Sequence, residues 1–174
     1  MRQLIIIRHA IATERLLAAK SGMSDSDRPL TEQGLRRMTR AVRGLVRIVP
    51  EITLVASSPL LRAVQTAEIV ATTFDDCPLV ITEALTPGAE PGELLEFLAA
   101  QSGEAPIACV GHEPDLSQWI GWALCGHQQS SLRLKKGAAC CLNMATSMAA
   151  GQCELQWLMQ PRQLRGLGKG KSDD

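Results

Sequence analysis

The chain has 174 residues, enough for one full hydrophobic core and short for two. It is 45% hydrophobic and 21% charged, an ordinary balance for a globular protein, so wholesale disorder is excluded. Lys plus Arg and Asp plus Glu number 18 each, and aromatics make up 3% with no Tyr, so neither a net basic footprint nor a base-stacking surface points to nucleic acid.

Leu4 to Ile7 is a short apolar run rich in β-branched residues and reads as a strand buried on both faces. Residues 11 to 28 read as a short helical turn followed by a surface loop. Thr31 is a plausible N-cap for a helix whose apolar positions Leu35, Met38, Val42, Leu45, Val46 and Val49 recur at helical spacing, with Pro50 at its end. Ile52 to Ala56 reads as a second strand. Ser57-Ser58-Pro59 reads as an N-cap with Pro in the first turn of a helix to about Thr72. Leu79 to Ile81 is a third strand, Thr86-Pro87-Gly88 a turn and Pro91 to Ala100 a helix. Ile107 to Val110 is a fourth strand, followed by a helix from Asp115 to about Leu124. Residues 131–134, 138–145 and 152–159 read as two or three further strands, the last two a possible hairpin.

Alternating strands and helices predict an α/β fold, three layers α/β/α with a mainly parallel central sheet. A single domain over residues 1–161 is expected, with a flexible tail over 162–174. No apolar run approaches the roughly 20 residues that cross a bilayer, so no membrane partner is expected. Leu4 to Ile7 is too short for a signal-peptide core, and Arg8-His9 interrupts it. The six cysteines form no CxxC pair and read as small buried hydrophobes, which makes the cytoplasm the expected compartment.

In open α/β sheets ligands bind beyond the carboxyl ends of the strands. Strand one ends in Arg8-His9, strand two in Ser57-Ser58-Pro59 with Arg62 just beyond, and strand four in Gly111-His112. Each alone is more often a surface feature than a site; four such residues at one sheet edge read as a site. Arginine offers a planar fork of donors to phosphate oxygens, and a neutral imidazole nitrogen is a nucleophile near neutral pH. The sequence carries no Walker-type glycine loop, no acidic pair for magnesium and no Cys-x5-Arg loop, so no metal or organic cofactor is expected.

At these residues the sequence resembles a known family. Ile6-Ile7-Arg8-His9-Ala10 resembles the Arg-His-Gly signature of the histidine phosphatase (phosphoglycerate-mutase-like) superfamily, with Ala10 in place of the commoner Gly. Ser57 to Ala67 resembles its second motif, and Val110-Gly111-His112-Glu113-Pro114 its third. Asp27 to Gly34 and Leu85-Thr86-Pro87-Gly88 look like the short, SixA-type phosphohistidine phosphatase branch. The resemblance implies that His9 is a nucleophile that is transiently phosphorylated. Arg8, Arg62 and protonated His112 would bind the phosphoryl oxygens. Arg28 either lines the same pocket or pairs with nearby Asp25 or Asp27. Many family members place an acidic Glu on an insertion after strand three; here that segment is short. Glu83 is the nearest candidate acid, with Glu90 and Glu93 behind it, and each reads also as a solvated or helix-start carboxylate.

A site without a strong acid or a lid suits P–N cleavage better than P–O cleavage, because a departing imidazole can carry its own proton. The expected substrate is therefore phosphohistidine on a signalling protein. The alternatives are small phosphomonoesters such as sugar phosphates or nucleotides, or a non-catalytic phosphate-binding module. Arg36, Arg40, Arg43 and Arg47 form a stripe that reads as a solvated helix face or as a docking surface for an acidic partner.

Overall fold

The computed structural model describes residues 2–101, 103–145 and 149–169. Six strands, β1 (Arg2–Arg8), β2 (Leu54–Ser57), β3 (Leu79–Ile81), β4 (Ile107–Gly111), β5 (Ala139–Met144) and β6 (Glu154–Met159), form one sheet in the order β3-β2-β4-β1-β5-β6. The first four run parallel to their neighbours; β5 lies antiparallel to β1, and β6 antiparallel to β5.

Period-two alternation in β1 builds both sides of the molecule. Ile5 and Ile7 face one core, together with Met38, Val42 and Leu45 of α2 (Glu32–Leu45), Ala63, Ala67 and Val70 of α3 (Leu61–Thr73), and Leu164 of α6 (Pro161–Leu167). Leu4 and Ile6 face the other, with Leu94 and Leu98 of α4 (Pro91–Ala99) and Leu116 and Ile120 of α5 (Asp115–Cys125). Leu4 to Ile7 are all 0% exposed, as a strand covered on both faces requires. The three-layer α/β/α arrangement follows directly. The short α1 (Arg15–Lys20) lies in the loop after β1. Among the described residues no helix is long and apolar enough to cross a membrane.

Local sequence explains where the helices begin and end. The Thr31 side chain accepts a hydrogen bond from the Gly34 amide at 3.0 Å, the N-cap of α2. Gly126 closes α5 at φ +81°, a conformation that suits glycine. Of the expected inward positions on α2, Met38, Val42 and Leu45 are buried, whereas Leu35 and Val46 are exposed at 39% and 37%. Four of the six cysteines, Cys109, Cys140, Cys141 and Cys153, are buried in the core.

Three expectations change. Residues 131–134 form no strand: the Leu134 amide donates to Glu113 Oε1 at 3.1 Å, its carbonyl accepts from Arg8, and Gln160 Nε2 donates to the Arg133 carbonyl at 2.6 Å. Side chains satisfy the backbone groups that a ladder would otherwise pair. Helix α3 starts at Leu61, with Leu60 rather than Ser58 in the N-cap position. The tail expected from residue 162 instead opens with α6, whose Leu164 is 1% exposed. Helices α2 and α6 pack backbone to backbone. A Cβ on Gly44 would stand 1.9 Å from the Leu164 carbonyl oxygen, and one on Gly168 2.3 Å from that of Arg40. Residues 170–174 of the expected tail lie outside the described residues.

Candidate active site

Parallel pairing of β1 with β4 puts Arg8 opposite Gly111, so the residues that follow each strand emerge side by side. His9 and His112 lie with ring centroids 5.1 Å apart, tilted by 52°. Both are buried, at 6% and 4% exposure. The His9 amide donates to the Gly111 carbonyl at 3.0 Å, which fixes one strand end against the other.

His9 Nδ1 stands 2.7 Å from the carbonyl oxygen of Ala10. A carbonyl only accepts, so Nδ1 carries the proton and Nε2 keeps its lone pair. The Ala10 amide in turn donates to Thr66 Oγ1 at 3.0 Å, and Thr66 donates to the Arg62 carbonyl at 2.7 Å. Ala10 is absent from the described non-glycine residues at positive φ, so its methyl costs no backbone strain in place of glycine.

Arg62, in the first turn of α3, is 3% exposed. Its Nη1 donates to the Asp25 carbonyl at 2.7 Å and its Nη2 to Asp25 Oδ2 at 3.0 Å. Arg28, 7% exposed, donates through Nε to Asp25 Oδ1 at 3.0 Å and through Nη1 to the Thr13 carbonyl at 2.6 Å. Arg28 thus pairs with Asp25, one of its two sequence readings, and shares that carboxylate with Arg62. Arg15 adds a third contact to the same carboxylate at 3.0 Å. Burial works to raise the Asp25 pKa, but the charges of Arg62, Arg28 and Arg15 outweigh it and hold the carboxyl below its ordinary value. Arg8 completes the set, its Nη1 donating to the Leu134 carbonyl at 2.7 Å.

Burial is the main reason both histidines are neutral at pH 7. It pushes His9 down to about 3, helped by His112, Arg62 and Arg8 and opposed by the Ala10 hydrogen bond. It pushes His112 to about 4, with Arg62 the next cause and Asp25 opposing. Burial thus favours the neutral form of His112 over the protonated form expected from the sequence, and leaves the positive charge of the site on its arginines. Three buried nitrogens here, Arg8 Nε, Arg62 Nε and His112 Nδ1, have no protein hydrogen-bond partner; a fourth, Arg2 Nε, lies at the opposite end of β1.

Glu83 does not join this group. It opens a single 3-10 turn (Glu83–Leu85), is exposed, and accepts from Thr86 Oγ1 at 2.8 Å. The carboxylates lining the cavity beside His112, of about 170 Å³, belong to Glu90 and Asp115. Asp115 Oδ1 accepts from the Gly88 amide at 3.0 Å. Residues that the sequence did not assign to the site are Asp25, Thr66 and Ser58, whose Oγ lies 2.9 Å from His112 Nε2. Asp25 stood out only as a near neighbour of Arg28, and nothing local links it to Arg62, 37 positions away.

Comparison with known proteins agrees with this geometry. The model of the histidine phosphatase superfamily (branch 1) matches residues 4–86. An uncharacterised protein of Picosynechococcus sp. is 34% identical over 136 residues, 77% of this chain and 80% of that protein. The chain belongs to the histidine phosphatase superfamily. Within it, the chain is similar to proteins of the SixA type. The structure of the protein histidine phosphatase SixA complexed with tungstate is 28% identical with a TM-score of 0.76, over 93% of this chain and 99% of that one. A putative phosphohistidine phosphatase SixA from Nakamurella multipartitia is 27% identical with a TM-score of 0.71, over 92% of this chain and 96% of that one.

Proposed function

We propose that the protein hydrolyses phosphohistidine on a protein substrate, with His9 as the nucleophile. The observation that carries this is the His9–Ala10 hydrogen bond, which fixes the proton on Nδ1 and leaves Nε2 as a free base beside the arginines. Nε2 attacks phosphorus in line with the departing imidazole. One P–N bond forms as the other breaks; the second nitrogen of the substrate imidazole already carries a proton, so the ring leaves neutral, and His9 keeps its own proton on Nδ1. Water then attacks the phosphorylated His9, releasing inorganic phosphate and restoring the neutral ring.

Arg8, Arg62 and Arg28 supply the charge that the migrating phosphoryl group needs, and they are held in place before it arrives. His112 is anchored through Nε2 on the Ser58 hydroxyl at 2.9 Å; with Ser58 donating there, the unpartnered Nδ1 carries the proton and donates to a phosphoryl oxygen. A buried neutral imidazole suffices for that role. The unpartnered nitrogens of Arg8, Arg62 and His112 offer donors to a tetrahedral anion. The likeness to SixA proteins supports the substrate class.

Glu90 and Asp115 favour a second reading, in which one of them protonates the alkoxide of a small phosphomonoester. Turnover of a phosphohistidine peptide and of phosphoramidate, set against p-nitrophenyl phosphate, separates the two. The proposal expects kcat/KM to favour the P–N compounds; a preference for the ester would replace it with the second reading.

A further inference from the structure

The charge of this chain is zero overall but segregated. Residues 63–132 contain ten Asp and Glu and no Lys or Arg. The cations concentrate elsewhere, most densely on α2 and α6. Arg36, Arg37, Arg40 and Arg43 of α2 and Arg165 of α6 line one open groove. Among the described residues only Arg36 of these five has an acidic partner, Glu32 at 3.3 Å. The Arg165 pKa is lowered by burial and then by repulsion from Arg37, Arg40 and Arg162. Close packing of α2 on α6, allowed by Gly44 and Gly168, imposes this crowding of like charges.

The ridge borders the segment that follows His9. Arg37, Arg165, Lys136 and Ala10, the residue after His9, line one small cleft. Lys136 has its pKa lowered by burial first and then by Arg8 and Arg28, with Arg62 also contributing and Glu14 opposing. Lys136 thus shares a cleft with Arg37 and Arg165 of the ridge and feels the charges of Arg8, Arg28, Arg62 and of Glu14, the N-cap of α1. On α1, Leu16 and Leu17 are 75% and 59% exposed. Arg15 of the same helix pairs with Asp25, which ties α1 to the pocket.

We infer that the α2–α6 arginine ridge docks an acidic protein surface surrounding the phosphohistidine that enters the pocket. This deepens the proposed function and rests on it. Complementary charge steers such a partner to the site and sets its orientation. Two exposed leucines beside the pocket suit a protein surface, which can cover them, better than a nucleic acid.

The test uses a small helical-bundle domain with one exposed histidine phosphorylated by phosphoramidate, made with either an acidic or a basic surface around that histidine. Wild type should favour the acidic version in kcat/KM by about tenfold or more, and Arg37→Glu/Arg40→Glu/Arg165→Glu should abolish the preference. Its kcat/KM for phosphoramidate itself should stay within about twofold of wild type, which also reports that the variant folds. Affinity for the unphosphorylated acidic domain, read by calorimetry, should fall about tenfold in the triple variant and weaken with salt in wild type. No preference in wild type, or one that survives the triple variant, overturns the docking inference while leaving the phosphatase reading intact. Arginine-dependent binding without hydrolysis of any phosphohistidine does the reverse. Tighter binding of duplex DNA than of the acidic domain would also overturn it, as would salt-sensitive self-association lost in the variant, which would assign the ridge to a second copy of the chain.

Discussion

The neutral state of His9 has a thermodynamic signature. Its pKa is about 3 in the folded protein against 6.5 for an ordinary histidine. Below pH 6.5 the unfolded chain takes up a proton that the folded chain refuses, so this group lowers stability as pH falls, until the folded value is reached. At pH 5 the folded ring is still neutral, so the loss depends only on the unfolded pKa. About 1.5 pH units at about 1.4 kcal/mol each gives about 2 kcal/mol. For a protein of this size that is a drop of about 4–8 °C in Tm. His112, pushed to about 4 by burial, adds a loss of similar size. His9→Asn keeps a polar side chain of similar bulk but does not titrate. Its own Tm at pH 7 is immaterial; the readout is the change in Tm between pH 7 and pH 5, followed by circular dichroism at constant ionic strength. That change should be about 4–8 °C smaller than in wild type, because the surface carboxylates contribute alike to both. Parallel profiles would show that His9 titrates normally in the folded state, and would refute its description as a buried neutral base.

Arg62→Ala removes two of the contacts that hold Asp25 and one of the charges facing the phosphoryl group; kcat/KM for phosphoramidate should fall about 10²-fold or more with little change in far-ultraviolet circular dichroism. Asp25→Ala releases Arg15, Arg28 and Arg62 from their shared carboxylate; kcat/KM should fall about tenfold through lost orientation, and an unchanged value would show that the three arginines need no common anchor. Gly34→Ala places a Cβ 2.0 Å from the Ile11 carbonyl oxygen. In an open helix this change stabilises by about 1 kcal/mol; here overpacking against backbone should lower stability by about 3 kcal/mol, and a raised Tm would contradict the close approach of α2 to the segment after His9.

The central sheet was legible because β1, β2 and β4 are short unbroken apolar runs, which only burial on both faces explains. The meeting of Arg8, His9, Arg62 and His112 was legible because parallel strands deliver their carboxyl ends to one edge. Asp25 was not, since its bonds to Arg62 form only once the loop after β1 folds over α3. Ser58 looked like a helix cap because Ser-Pro commonly is one; its hydroxyl does accept from the Leu60 amide at 3.3 Å, and the tertiary contact with His112 that it makes as well has no local signal. The neutral charge of His112 depends on burial, which no local pattern reports. Helix α6 was hidden among Gly and Lys, and its one deeply buried residue, Leu164, finds its purpose only against Gly44 of α2.

The most direct measurement is to trap and map the phosphoenzyme. The protein is mixed with isotopically labelled phosphoramidate, quenched in alkali within milliseconds, digested and sequenced by mass spectrometry under conditions that preserve P–N bonds. The label should sit on Nε2 of His9, and His9→Ala should carry none and turn over no substrate. Label on His112 or any other side chain, or undiminished turnover by His9→Ala, would contradict the account at its root.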